Sequence, residues 1–114
     1  GFTMKLKIQS GEFVIEKIDK NDTINLSDDL FCVVNEFDCH TIIKNKLKNS
    51  YNMQIFKAFY IDEIFDFSQS GILFEILRPL KEECISVLVV SAYERDYIFV
   101  NKNDFDTIKK IFGL

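Results

Sequence analysis

Residues 85–92 read Ile-Ser-Val-Leu-Val-Val-Ser-Ala, a run with no charge and with apolar side chains at both sets of alternating positions. A strand apolar on both sides is ordinarily covered on both sides, so this run predicts a central strand packed between other layers. Arg95 and Asp96 then turn the chain, and residues 97–100 return beside it as the second arm of a hairpin. What lies on either side of that hairpin in the sequence supplies the cover. Upstream, Ile72, Leu73, Ile76, Leu77 and Leu80 recur at helical spacing, with Glu75, Arg78, Lys81 and Glu82 on the opposite side. This predicts an amphipathic helix over residues 70–83, bent near its last turns by Pro79, whose ring presses on the preceding turn. Downstream, Phe105, Ile108, Ile111 and Phe112 mark a second helix over 103–112. Asp104 and Asp106 lie in its first turn, Lys109 and Lys110 in its last, and Gly113 past its end, an order that suits the helix dipole.

The first half is richer in strands. Leu6 and Ile8 alternate with lysines, Gly11 interrupts, and Phe13, Val14, Ile15 and Ile18 resume, so the chain opens on one long bent strand or two short ones. Residues 20–29 are polar connection. Residues 30–35 and 41–46 read as a hairpin joined by 36–40, and residues 55–65 as a strand carrying Phe56, Phe59, Ile61 and Ile64. From residue 55 the order is therefore strand, helix, strand, strand, helix. The expected division is 4–54 and 55–114, with Gly1-Phe2-Thr3 ahead of Met4 read as a non-native extension.

Composition bounds the function. The chain has 114 residues, 47% of them hydrophobic and 28% charged, with a single proline, which is the profile of one folded unit. Its net charge of −4 and scattered lysines offer no basic stripe to a phosphate backbone, so nucleic acid is not expected as a partner. No apolar run approaches the ~20 residues that cross a bilayer, and no leader pattern is seen, so a cytoplasmic, membrane-free protein is expected. Three cysteines, Cys32, Cys39 and Cys84, fit reduced thiols better than a disulfide framework. Cys39-His40 beside Asp38 is the one cluster of metal-ligand types, and no second Cys/His pair completes four ligands, so neither a metal nor a cofactor is expected. There is no nucleophile with a base and an orienter, no glycine-rich phosphate loop and no set carboxylate pair, so no enzymatic activity is expected.

The stretch Asp66-Phe67-Ser68-Gln69-Ser70-Gly71-Ile72-Leu73 stands out because serines and a glycine precede the first helix. A helix beginning there turns unpaired N–H groups and the positive end of its dipole outward, which favours a carboxylate, and Gly71 lets a ligand approach the backbone. Ser68 or Ser70 would serve equally as an ordinary helix cap.

That stretch, together with MKLKIQSGEF at 4–13, FKAFYI at 56–61, RPL at 78–80 and ISVLVVSAYERDYIFV at 85–100, resembles the ACT domain family. The likeness is nearest to bacterial single-chain proteins that pack two ACT-like halves and are related to the cytosolic arginine sensors of animals. The resemblance implies an α+β, ferredoxin-like sandwich of two ACT-like halves, an antiparallel sheet with its helices on one face. It also implies a regulatory, non-catalytic protein holding a free amino acid or similar small carboxylate at Ser68, Gln69, Ser70, Gly71 and Ile72, with Ser91 and Asp96 around its other end. Gln69 stands where the arginine sensors carry a glutamate, so a neutral amino acid is favoured over a guanidinium. Asp96 is equally at home as a turn residue. The alternative is an ACT-fold interaction module that has lost its ligand. Two helices are few for a sheet with a strand apolar on both sides, so a homodimer is expected to supply the missing cover.

Overall fold

A computed structural model describes residues 6–27, 29–62 and 71–114. Among the described residues, six strands and two helices follow in the order β1 (Leu6–Asp19), β2 (Leu30–Asn35), β3 (Cys39–Asn45), β4 (Phe56–Ile61), α1 (Ile72–Glu82), β5 (Val87–Ser91), β6 (Asp96–Asn101) and α2 (Phe105–Phe112). A 3₁₀ turn, Lys102–Asp104, leads directly into α2. The hydrogen-bonded strand order is β2-β3-β1-β4-β6-β5. The pairs β1/β3, β2/β3 and β5/β6 are antiparallel.

The chain groups into two compact units, one of residues 11–56 and the other of residues 57–114 with the N-terminal stretch up to Ser10. The opening segment is thus one strand of 14 residues. It passes from one unit to the other at Gly11, which takes φ 97°. The contacts carry Leu6–Ser10 with the unit of residues 57–114. The consequence is topological: a strand-helix-strand-strand-helix unit lacks the last strand of a ferredoxin-like arrangement, and the first part of β1, on the outer side of β4, stands in that place.

In that unit β4 contributes Phe59 and Ile61, β6 contributes Ile98 and Val100, and α1 and α2 contribute Ile76, Leu80, Phe105 and Ile108 to one core. Phe59/Ile61 and Ile98/Val100 are two apart in their strands and so share one side of the sheet, which places both helices on that side. Leu6 of β1 and Val89 of β5 pack against the same cluster. The helical spacing read from the sequence is what buries these residues. α1 begins at Ile72, and Pro79 sits within it without ending it. The helix closes two residues past Glu82, where Cys84 takes φ 56°. Its N–H reaches the Lys81 carbonyl at 3.0 Å, and the Ile85 N–H reaches that of Leu80 at 2.9 Å. α2 closes on Gly113 at φ 69°.

In the unit of residues 11–56, β2, β3 and the second part of β1 form an antiparallel set around Phe13, Val14, Ile42 and Ile43, all nearly inaccessible. Phe31 meets Phe13 edge-on at 5.6 Å between ring centroids. Lys46 pairs with Glu12 at 3.0 Å and Lys44 with Glu16 at 3.2 Å along the β1/β3 ladder.

Two expectations are corrected. β5 is an edge strand, and Val87 and Leu88 are partly open to solvent, so residues 85–92 do not form a covered central strand. Asp96 is not at the hairpin turn. The Ala92 N–H donates to the Arg95 carbonyl at 3.0 Å across a corner made by Tyr93 and Glu94, and Asp96 is the first residue of β6.

Candidate functional site

α1 begins at Gly71, which has φ 98° and ψ −15°, a left-handed conformation that L side chains rarely adopt. Its carbonyl accepts the Glu75 N–H at 3.0 Å, the first helical bond. Among the described residues, a Cβ built on Gly71 would meet nothing within 4 Å, so they leave the space above the helix entrance open. Glycine offers no side chain to cap the first-turn amides. The Ile72 side chain packs inward on the core, so only its backbone N–H can serve a ligand. Ser68, Gln69 and Ser70, the remaining residues of the expected loop, lie outside the described residues.

Ser91 and Asp96 face one another as the last pair of the β5/β6 ladder. Ser91 is exposed and Asp96 half-buried. By strand alternation they lie on the side of Val89 and Ile98, the side the helices cover. A strand-helix-strand connection brings β5 parallel to β4, so the end of β5 and the start of β6 lie where β4 ends and α1 begins. Four expected site residues, Gly71, Ile72, Ser91 and Asp96, therefore reach one end of the sheet and one face. Amides and a positive dipole end suit a carboxylate, and the Ser91 hydroxyl with the Asp96 carboxylate suits an ammonium group.

On the opposite face of the same strands is a group that the sequence reading did not single out. The Arg95 guanidinium lies 5.8 Å from the Tyr60 ring centroid and donates to the Tyr97 hydroxyl at 3.3 Å and to the Glu94 carboxylate at 3.3 Å. The Tyr97 hydroxyl beside it raises the arginine pKa further. Tyr60 and Tyr97 stand 5.6 Å apart. Lys7 pairs with Asp62 at 2.9 Å, an interaction that raises the lysine pKa. Alternation in 58–62 and 95–99 was the available signal, because it separates Tyr60 and Tyr97 from the core positions Phe59 and Ile98. Tyr93 is fully exposed at the hairpin corner.

Cys39 and His40 lie on β3, and the Cys39 thiol is buried and donates to a Glu36 carboxylate oxygen at 3.3 Å. Burial foremost pushes that thiol's pKa up. Thr41 donates to the same oxygen at 2.6 Å, and these two hydrogen bonds lower the Glu36 pKa. His40 Nδ1 is buried without a hydrogen-bond partner among the described residues. Among the described residues no three His, Cys, Asp or Glu side chains gather as metal ligands.

The model of the ACT domain matches residues 54–112. Among solved structures, a protein of Agobacterium tumefaciens superposes with a TM-score of 0.80 at 20% identity, over 99% of this chain and 89% of its own. A Vibrio cholerae protein of unknown function, described as a possible transport protein, superposes with a TM-score of 0.69 at 18% identity, over 90% of this chain and 81% of its own. At these identities the likeness is one of fold. No curated protein matches the chain.

Proposed function

Since the chain belongs to the ACT domain family, whose members are typically regulatory and non-catalytic, we propose that it binds a free amino acid or similar small carboxylate between the α1 entrance and the β5/β6 hairpin. The observation that supports this most is Gly71: a left-handed glycine whose Cβ position no described residue approaches within 4 Å, at the helix entrance, on the same end and face as Ser91 and Asp96. The ligand's carboxylate takes the first-turn amides and its ammonium group takes Asp96 and the Ser91 hydroxyl. Gln69, Ser68 and Ser70 complete the loop side of this reading. With an amide at Gln69 the pocket carries one negative charge fewer than in the arginine sensors, and a neutral amino acid is the preferred ligand. In the same reading the three-stranded unit of residues 11–56 is a reduced ACT-like half, and the protein works in the cytoplasm as a ligand-dependent regulator. No helix among the described residues is long and apolar enough to cross a membrane.

Isothermal titration against the twenty amino acids tests the proposal. One or a few should bind, and Asp96→Asn should weaken the ligand at least about tenfold, the loss of roughly one charge-assisted contact. Heat from none of them would sink it. A second reading, an interaction module without a ligand, is favoured by one observation: the uncharged β5 edge is open to solvent.

A further inference from the structure

The corner that joins β5 to β6 has little support of its own. Tyr93 and Glu94 at its tip are exposed, and among the described residues one backbone bond, from the Ala92 N–H to the Arg95 carbonyl, closes it. β5 lies at the edge of the sheet, so β6 is its only hydrogen-bonded neighbour among the described strands. The last pair of the ladder before this corner is Ser91 and Asp96, the two residues that the ligand reading places around an ammonium group. A group that binds through a charged hydrogen bond must be held within about 0.5 Å of its place by neighbours that are themselves fixed. Something has to hold the strand end from which Asp96 projects.

Arg95 meets that need. It directly precedes Asp96, and alternation sends the two side chains to opposite faces, Asp96 to the side the helices cover and Arg95 to the open side with Tyr97. On that open side the guanidinium lies 5.8 Å from the ring centroid of Tyr60 on β4, and its Nη1 donates to the hydroxyl of Tyr97 on β6 at 3.3 Å. The two tyrosine rings are 5.6 Å apart, so side chains from both strands form one block against which the corner rests. The remaining contact, Nη2 to the Glu94 carboxylate at 3.3 Å, joins an exposed neighbour in sequence and adds little. A planar guanidinium can stack on one ring and bond the next hydroxyl at once, which an ammonium group cannot match.

We propose that Arg95 is a positioning residue for the ligand site: by fastening the corner to Tyr60 and Tyr97 on the open face, it fixes the backbone from which Asp96 reaches the ligand's ammonium group on the other face. The assignment rests on the amino-acid reading given above.

Two measurements on the same variants test it. In the protein without ligand, hydrogen exchange at the Ala92 amide reports the corner bond, and Arg95→Ala should speed it about fivefold or more, the loss of a stacking contact and a hydrogen bond. In calorimetry with the twenty amino acids, Arg95→Ala should weaken the binding seen with wild type about five- to tenfold. Tyr97→Phe, which deletes only the hydroxyl, should weaken it about two- to fivefold, and it decides the matter if Arg95→Ala does not fold. Arg95→Lys keeps the charge without the planar fork and should recover only part of the loss. In an Asp96→Asn background Arg95→Ala should change affinity less than about twofold, because a residue that acts through Asp96 loses its effect once that carboxylate is gone. A general loss of stability would weaken both backgrounds alike. Unchanged Ala92 exchange in a folded Arg95→Ala protein, an equal loss of affinity in both backgrounds, or full recovery with lysine would overturn the assignment. If no amino acid binds the wild type, the ligand reading fails and the positioning role falls with it, while Ala92 exchange shows separately whether Arg95 fastens the corner.

Discussion

Gly71 and Gly113 provide a matched pair of perturbations. Both have positive φ, 98° and 69°, and a Cβ on either would meet nothing within 4 Å among the described residues. Alanine at each position therefore adds no clash, and its cost is that of holding an L residue in left-handed backbone, roughly 1–2 kcal/mol. Gly71 lies farther from the narrow left-handed region open to L residues, so its cost falls at the upper end. Unfolding entropy of ~2.1 cal/mol/K per residue, scaled to a chain of this length, converts 1–2 kcal/mol into a fall in Tm of about 4–8 °C. Both Gly71→Ala and Gly113→Ala should show that fall in thermal unfolding followed by circular dichroism. Their effects on ligand binding should diverge. A methyl group at Gly71 occupies the open space at the α1 entrance and should weaken the amino acid by at least ~1.4 kcal/mol, a factor of ten, while Gly113→Ala leaves affinity unchanged. Equal affinity in the two variants at equal loss of stability would show that no ligand approaches Gly71. A Gly71→Ala protein as stable as wild type would show that the residue is not held at positive φ, and the geometric argument would fall with it.

Cys84 ends α1 at φ 56°, a position that glycine occupies at lower cost. Cys84→Gly should therefore raise stability by about 1 kcal/mol in denaturant unfolding. Ile76 is fully buried between α1 and the sheet, so Ile76→Ala should cost about 2–5 kcal/mol in the same assay, with the higher value if the site does not collapse. The Glu36 carboxylate is held below its ordinary pKa chiefly by the Thr41 hydroxyl and then by the Cys39 thiol. A depressed carboxylate adds stability that is complete above its unfolded pKa and disappears as pH falls through the lower folded value. Melting temperatures of wild type and Glu36→Gln should therefore differ most near neutrality and converge below about pH 4, the unfolded glutamate range. A constant difference at every pH would assign the effect to packing.

The helices and most strands were legible because their signals are local. Ile72, Ile76 and Leu80 recur with the helical period, and the turn that ends each helix depends on residues within a few positions of it. Residues 85–92 show the limit of such signals. Their alternation records that both faces are apolar, yet it holds no information about how many strands lie beyond, and the tertiary pairing put β5 at an edge. Likewise Leu6–Ser10 reads as a strand in any context. That it stands beside β4 and fills the place of a missing strand depends on a partner some fifty residues away in sequence. The same holds for the site. Glycine before a helix is visible in the sequence, whereas its φ, the open space beside it and the arrival of Ser91 and Asp96 at the same sheet end are products of chain topology. Arg95 over Tyr60 is a contact between strands joined through a helix and a hairpin. Local preference chose what each segment becomes, and long-range pairing, whose loop-closure cost is repaid only when the partners meet, chose what each segment faces.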